Sequence, residues 1–256
     1  MNNEDDMLAC SSVKDARMVG ARDPVEVGPD GALFAVADGM GGLAAGEVAS
    51  MLAIEAIEEM LEADAFVSLP EKGIRGIMDL VFNSAHESMI EREREDPRTH
   101  GMGTTLVMGL VRNSMLYVAW MGDSRCYLYR KSSGLECVTR DHSLVQLLVD
   151  TGEVTYDEAF SHPKSNIITR SLPGAEGEEP MPDHAARKLE TGDRILFCSD
   201  GLNGMLRDGE IGEMLAEGRE TADCAGRLVY AANAKGGRDN ITVMLVDVLD
   251  EGYGER

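Results

Sequence analysis

The chain has 256 residues, 43% of them apolar, which is enough to bury a substantial core as one large domain. Its formal charge of −22, from 46 Asp and Glu against 24 Lys and Arg, opposes binding to nucleic acid or to an anionic membrane surface and points to proteins or small molecules as partners. Five cysteines, an odd number with no CxxC spacing, are expected as reduced structural thiols and not as a zinc site.

The first residues, MNNEDDML, lack the basic and apolar regions of a signal peptide, and no apolar run approaches the roughly 18 residues of a membrane span, so a soluble cytoplasmic protein is expected. A strand is predicted over 6–10. The polar stretch 14–31, punctuated by Gly20, Pro24, Gly28 and Pro29, reads as a hairpin or loop. A strand over 32–37 leads into two helical patterns. The first, 44–63, sets Val48, Leu52, Ile54, Ile57 and Leu61 near helical spacing, and the second, 70–95, does the same with Ile74, Ile77, Val81, Phe82 and Met89. A short connection at 64–69 makes them an antiparallel pair. From 103 the period turns strand-like over 104–111, 115–122 and 125–130, with short turns that favour a meander. Helices near 143–151 and 155–160, strands near 184–190 and 193–198, helices near 208–217 and 221–234, and a strand over 241–248 complete the chain. EREREDPR (91–98) is a solvated helix end with i,i+3 and i,i+4 charge pairs. Helices grouped apart from strands argue for an α+β fold, sheet on sheet with helices outside, over alternating βαβ units.

Three aspartates, Asp38, Asp200 and Asp239, each stand where an apolar strand-like run meets a turn, in FAVADGMGG (34–42), ILFCSDGL (195–202) and GGRDNITVMLV (236–246). Carboxylates held at the mouths of rigid strands suit Mg²⁺ or Mn²⁺, hard ions that keep several waters. Gly39-x-Gly41-x-x-Ala44 formally matches a dinucleotide fingerprint, but a second helix follows where a Rossmann unit needs a parallel strand, and Asp38 would set a negative charge beside the pyrophosphate. The glycines read instead as a tight turn that exposes the Asp38 carboxylate and the Gly39 carbonyl. Gly122-Asp123-Ser124-Arg125 lies between two strands and lacks the strand–turn–helix elbow of an esterase, which leaves Asp123 as a turn residue. Asp141-His142-Ser143 is a triad only as written, since adjacent side chains diverge, and Ser143 is expected to cap a helix. His86, His100, His162 and His184 show no ligand spacing and are expected at the surface or in local structure.

The ordered set NNED (2–5), VADGMGGLAAGEVAS (36–50), GMGTTLV (101–107), VAWMGDSRCYLYR (118–130), TRDHSLVQLL (139–148), HPKSNIITRSL (162–172), LFCSDGL (196–202) and GGRDNITVMLV (236–246) resembles bacterial metal-dependent protein serine/threonine phosphatases of type 2C, over essentially the whole chain. The resemblance implies a four-layer αββα fold, a central sandwich of two antiparallel β-sheets flanked by antiparallel helix pairs. It also implies two Mn²⁺ or Mg²⁺ ions at one end of the sandwich. Asp38 then resembles the carboxylate bridging both ions, Gly39 a carbonyl ligand, Asp200 and Asp239 ligands of the second ion, and Glu4 and Asp5 the acidic pair that binds or orients water on the first. A metal-bridging hydroxide would attack phosphorus in line, with no phosphoenzyme.

Several positions depart from the family pattern. Its phosphate-clamping arginine stands four residues before the acidic pair, a place that precedes Met1, so no phosphate-binding arginine is identified. Arg22, four before Glu26, offers a second alignment, in which Val27 replaces the needed aspartate. Met40 stands where animal relatives have a histidine. Asp123 resembles a ligand of a third, labile ion, whose usual partner is replaced by Gly204. The segment 152–171 corresponds to the family's mobile flap. Expected partners are phosphoprotein substrates and a cognate Ser/Thr kinase or its targets, with the protein a monomer; the alternative is a phosphoprotein-binding or regulatory module of the same fold with weak turnover.

Overall fold

Alternation along the strand Ala32–Met40 sets the layers of the molecule. Leu33, Ala35 and Ala37 enter a core beneath the first two helices, whereas Phe34 and Val36 enter a second core that faces another sheet. The computed structural model describes residues 3–18, 27, 30–41, 45–173 and 179–249.

One sheet contains β1 (Asp5–Ser12), β2 (Arg17–Met18), β3 (Ala32–Met40), β4 (Gly103–Arg112) and β5 (Met115–Met121). Later strands are β6 (Arg125–Arg130), β7 (Gly134–Cys137), β8 (Leu172–Pro173), β9 (Asp183–Lys188), β10 (Arg194–Cys198) and β11 (Val243–Asp247). The sheets run β2-β1-β3-β4-β5-β9, with β8 also on β4, and β11-β10-β6-β7, every pairing antiparallel. The helices are α1 (Ala45–Glu62), α2 (Glu71–Glu95), α3 (Leu144–Asp150), α4 (Tyr156–Phe160), α5 (Asp200–Asn203), α6 (Asp208–Ala216) and α7 (Thr221–Ala234).

Three apolar cores separate four layers. Ile57, Leu61, Val81 and Phe82 of α1 and α2 cover the first sheet. Ile195 and Phe197 of β10 enter the middle core between the sheets, where Phe197 stacks on Phe34 with ring centroids 6.2 Å apart. The alternate residues Leu196 and Cys198 face Ile211 and Leu228 of α6 and α7. Gly109 makes room for the stack, since a Cβ there would lie 2.5 Å from the Phe197 ring.

The predicted elements from 32 to 248 are present with small shifts at their ends, but the meander is not. β4 and β5 pair, whereas β6 belongs to the other sheet. The turn between them carries the chain across the sandwich through Gly122, whose φ is +110° and whose Cβ would meet the Thr105 side chain at 2.5 Å. β7 and β8 escape a period-based reading because they are short, half-exposed or interrupted by Pro173. Within 14–31, β2 pairs with β1 through Cys10 and Met18, while 19–26 and 28–29 lie outside the described residues. Of the two places expected for it, surface or local structure, His86 takes the second, buried in α2, and His142 is buried as well. All five cysteines are free thiols. No helix of the described residues is long and apolar enough to cross a membrane.

Candidate metal centre

Asp5 and Asp38 are direct cross-strand partners on β1 and β3, and the Gly39 N–H donates to the Glu4 carbonyl at 3.0 Å. The acidic pair is then fastened to the second sheet. Ser199 Oγ and Thr242 Oγ1 each donate to Asp5 Oδ2 at 2.7 Å, Thr242 N–H donates to Ser199 Oγ at 3.0 Å, and the Glu4 N–H donates to Asn240 Oδ1 at 2.9 Å. Asp5 therefore ties the end of β1 to the end of β10 and to the residues before β11.

The other acids are positioned by the same junction. Asp38 lies two residues before the end of β3, its N–H donating to Thr105 Oγ1 at 3.2 Å and its carbonyl accepting from Thr104 Oγ1 at 2.9 Å. Asp200 is the first residue of α5, and Asp239 is exposed in the loop before β11, where its Oδ1 accepts from the Asn240 N–H. Two glycines permit this closure. A Cβ on Gly201 would sit 1.8 Å from the Asn240 carbonyl oxygen, and one on Gly39 would sit 2.0 Å from the Gly46 carbonyl oxygen at the start of α1.

Asp123 lies in the sheet-crossing turn, 5% exposed. Beside it Ser124 Oγ and Thr105 Oγ1 are 2.7 Å apart. Arg125 is committed to Asp141 at 2.8 and 2.7 Å and to Asp208 at 3.1 Å. Gly204 closes α5, donating to the Asp200 carbonyl, and has no side chain to offer a cation beside Asp123.

Electrostatics show how closely these groups crowd. Burial first, and then the charges of Asp200, Asp5, Asp123 and Asp239, push Asp38 up to about 10. Burial followed by Asp239 and Asp5 pushes Asp200 up to about 6, against the lowering effect of a hydrogen bond with Asp38. Burial also raises Asp5 and Asp123, and it raises Glu4 with Asp239 as the next cause. Oδ1 of Asp5, of Asp123 and of Asp200 is buried without a hydrogen-bond donor among the described residues. Buried carboxylates that repel one another and carry oxygens lacking donors fit divalent cations, which supply the missing positive charge. No group of three or more His, Cys, Asp or Glu side chains among the described residues converges as a ready ligand cluster. The acids interact electrostatically without closing into a full cage, which leaves room for the waters such ions keep.

The structure brings Glu4, Asp5, Asp38, Gly39, Asp123, Asp200 and Asp239 to this one end of the sandwich. Arg22 and Glu26 lie outside the described residues. Period and motif reasoning missed Ser199, Asn240 and Thr242 as supports of the acidic pair, although all three stand within two or three residues of Asp200 or Asp239. Ser143 caps α3, accepting from the Gln146 N–H, as its sequence position suggested.

A family model described as protein phosphatase 2C matches residues 21–236, and the chain belongs to that family. The serine/threonine protein phosphatase PstP of Mycobacterium tuberculosis is 38% identical over 249 residues, 97% of this chain and 46% of PstP, so the chain spans about half the length of that relative. The serine/threonine phosphatase stp of Listeria monocytogenes is 36% identical over 83% of this chain and 82% of its own length. A crystal structure of the PstP catalytic domain in complex with two manganese ions superposes with a TM-score of 0.74 at 36% identity, covering 96% of this chain and 99% of that one.

Proposed function

We propose that the chain is a metal-dependent protein phosphatase that hydrolyses phosphoserine and phosphothreonine on proteins. The observation that carries this reading is the meeting, at one end of the sandwich, of Asp5, Asp123 and Asp200, each with a buried and donorless Oδ1, around the buried carboxyl of Asp38, which burial and then their charges push up. Asp38 and the Gly39 carbonyl take the centre of the site, Asp200 and Asp239 its second-sheet side, and Glu4 and Asp5 its first-strand side. When bound there, two Mn²⁺ or Mg²⁺ ions offset charge on the phosphoryl oxygens and make water acidic enough to ionise near neutral pH. The manganese pair in the PstP structure supports carrying a dinuclear centre over to this chain.

What the protein itself contributes is position. Ser199 and Thr242 hold Asp5 through one oxygen and leave the other free, while Thr104 and Thr105 grip the backbone of Asp38. Ser124 and Ser143, the serines of the two motifs that resemble nucleophile sites, are buried and already hydrogen-bonded, which supports direct hydrolysis without a phosphoenzyme. Met40 has no proton to give, so water protonates the departing alkoxide. In this reading the protein is a cytoplasmic single-domain monomer, the segment 152–171 is a flap that borders the substrate, and a Ser/Thr kinase supplies the phosphoproteins.

The test is hydrolysis of a phosphothreonine peptide with Mn²⁺, with and without chelator. Release of phosphate that chelator abolishes is expected. Tight phosphopeptide binding with no phosphate released at any Mn²⁺ concentration would replace this reading with a phosphoprotein-binding module.

A further inference from the structure

His142 has no part in the reading above, yet it is 8% exposed and uses both ring nitrogens. Its Nδ1 accepts the Gly122 N–H at 3.1 Å, and its own N–H donates to the Gly122 carbonyl at 2.9 Å, so the two residues clasp each other twice. Because Nδ1 accepts, the neutral ring carries its proton on Nε2, which lies 3.2 Å from Asp183 Oδ2. Arg170 pairs with the other oxygen of Asp183 at 2.8 Å and lies against the same edge of the ring. The Thr169 N–H donates to the His142 carbonyl at 2.7 Å. Trp120 stacks on the ring at 6.2 Å with planes 16° apart and gives its Nε1–H to the Arg140 carbonyl, which fixes the imidazole in rotation.

The turn that His142 clasps leads on to the acidic centre. Gly122 packs against Thr105, and Thr105 Oγ1 contacts Ser124 Oγ at 2.7 Å and accepts the Asp38 N–H at 3.2 Å. An unbroken series of bonded groups thus runs from Thr169 and Arg170, through His142 and the 122–124 turn, to Asp38.

We propose that His142 is a positioning residue that makes the sheet-crossing turn bearing Asp123 and the end of the 152–171 segment one cooperative unit. The proposal rests on the reading of this end of the sandwich as the reactive centre, because only then does the placement of Asp123 bear on activity. A ring that merely filled space would be replaced equally well by any side chain of its volume; a junction requires the Nδ1 acceptor on one side and the Nε2 donor on the other.

Amide hydrogen exchange of the metal-free protein separates these cases. His142→Leu fills the volume but accepts nothing, and is expected to speed exchange of the Gly122 N–H about tenfold, the scale of one lost buried hydrogen bond. His142→Asn places an amide oxygen near the Nδ1 position but loses the Nε2 contact, and is expected to speed the Gly122 N–H less than His142→Leu does while residues 162–171 loosen. Arg170→Ala never touches Gly122, yet a cooperative unit requires that Gly122 also exchange faster. Arg170 and Asp183 are 32% and 47% exposed at the side chain, so Arg170→Ala and Asp183→Ala decide the matter if His142→Leu does not fold. An unchanged Gly122 rate in His142→Leu or in Arg170→Ala overturns the proposal, and so does an equal acceleration throughout β11, which would mean general destabilisation. Exchange is read without metal or substrate, so failure of phosphate release in the hydrolysis assay leaves this test interpretable.

Discussion

Asp5 faces Asp38 directly across the β1–β3 ladder, and Asp5 is also bonded to the residues that flank β10 and β11, through Ser199 and Thr242. Two acids set opposite each other in an antiparallel pair repel. Here the repulsion is held in place by hydrogen bonds from those residues, and Asp38 retains a proton in the absence of a cation. The centre is thus built at a cost to the metal-free protein, and several measurable consequences derive from that cost.

Asp38→Asn removes a charge and keeps the shape. Mn²⁺-dependent turnover is expected to fall by more than about a hundredfold, beyond the cost usual for an outer-shell partner alone. Phosphate release by the variant at near-normal rates would refute the role given to Asp38.

The metal-free protein is expected to lose stability as pH rises. Asp38 sits up at about 10 and Asp200 at about 6, both above the unfolded value of 3.8, so across that window the folded state binds more protons than the unfolded one. Each such group bends stability downward by at most about 1.4 kcal/mol per pH unit. Thermal unfolding without metal should therefore occur at higher temperature near about pH 5.5 than near about pH 8, with Mn²⁺ narrowing the difference. Asp38→Asn should flatten the slope and be the more stable protein at the higher pH; a slope unchanged in that variant would show that Asp38 is not the group responsible.

Binding of Mn²⁺ should release protons, since a carboxyl pushed up to about 10 must ionise to serve a cation. Calorimetric titration near neutral pH in buffers of different ionisation enthalpy measures the number directly. Zero proton release would contradict the crowding described for Asp38.

Ser199→Ala and Thr242→Val each remove one donor from Asp5 Oδ2. Each is expected to weaken Mn²⁺ binding about 10- to 100-fold, as loss of outer-shell support commonly does, with little change in fold. By contrast Asp123→Ala should change turnover modestly and leave the tightly bound ions in place, because Gly204 adds no side-chain oxygen to a site there. Elemental analysis showing loss of both ions from Asp123→Ala would move Asp123 into the centre itself.

Gly201→Ala should cost about 1–3 kcal/mol, since its Cβ would fall 1.8 Å from the Asn240 carbonyl oxygen and push α5 away from the loop that carries Asp239. Gly226→Ala, exposed in α7 with nothing within 4 Å of the added methyl, serves as the control and is expected to stabilise by about 0.5–1 kcal/mol. Denaturant unfolding of both variants checks the pair.

Elements whose period is local were legible in the amino-acid sequence. Apolar spacing marked α1 and α2 to within a residue of their ends, and the β3 and β10 runs carried enough β-branched, aromatic and aliphatic residues to stand out. Asp38, Asp200 and Asp239 were visible because each interrupts an apolar run at a turn. Tertiary structure alone decided that β6 leaves the sheet of β5, that Asp5 is gripped by Ser199 and Thr242, and that His142 joins Gly122 to Asp183. The physical reason is one of range. Backbone period and turn chemistry act over a few residues, whereas these contacts join groups far apart in the chain, and hydroxyls and imidazoles carry no periodic signal to show which distant acid or amide they meet.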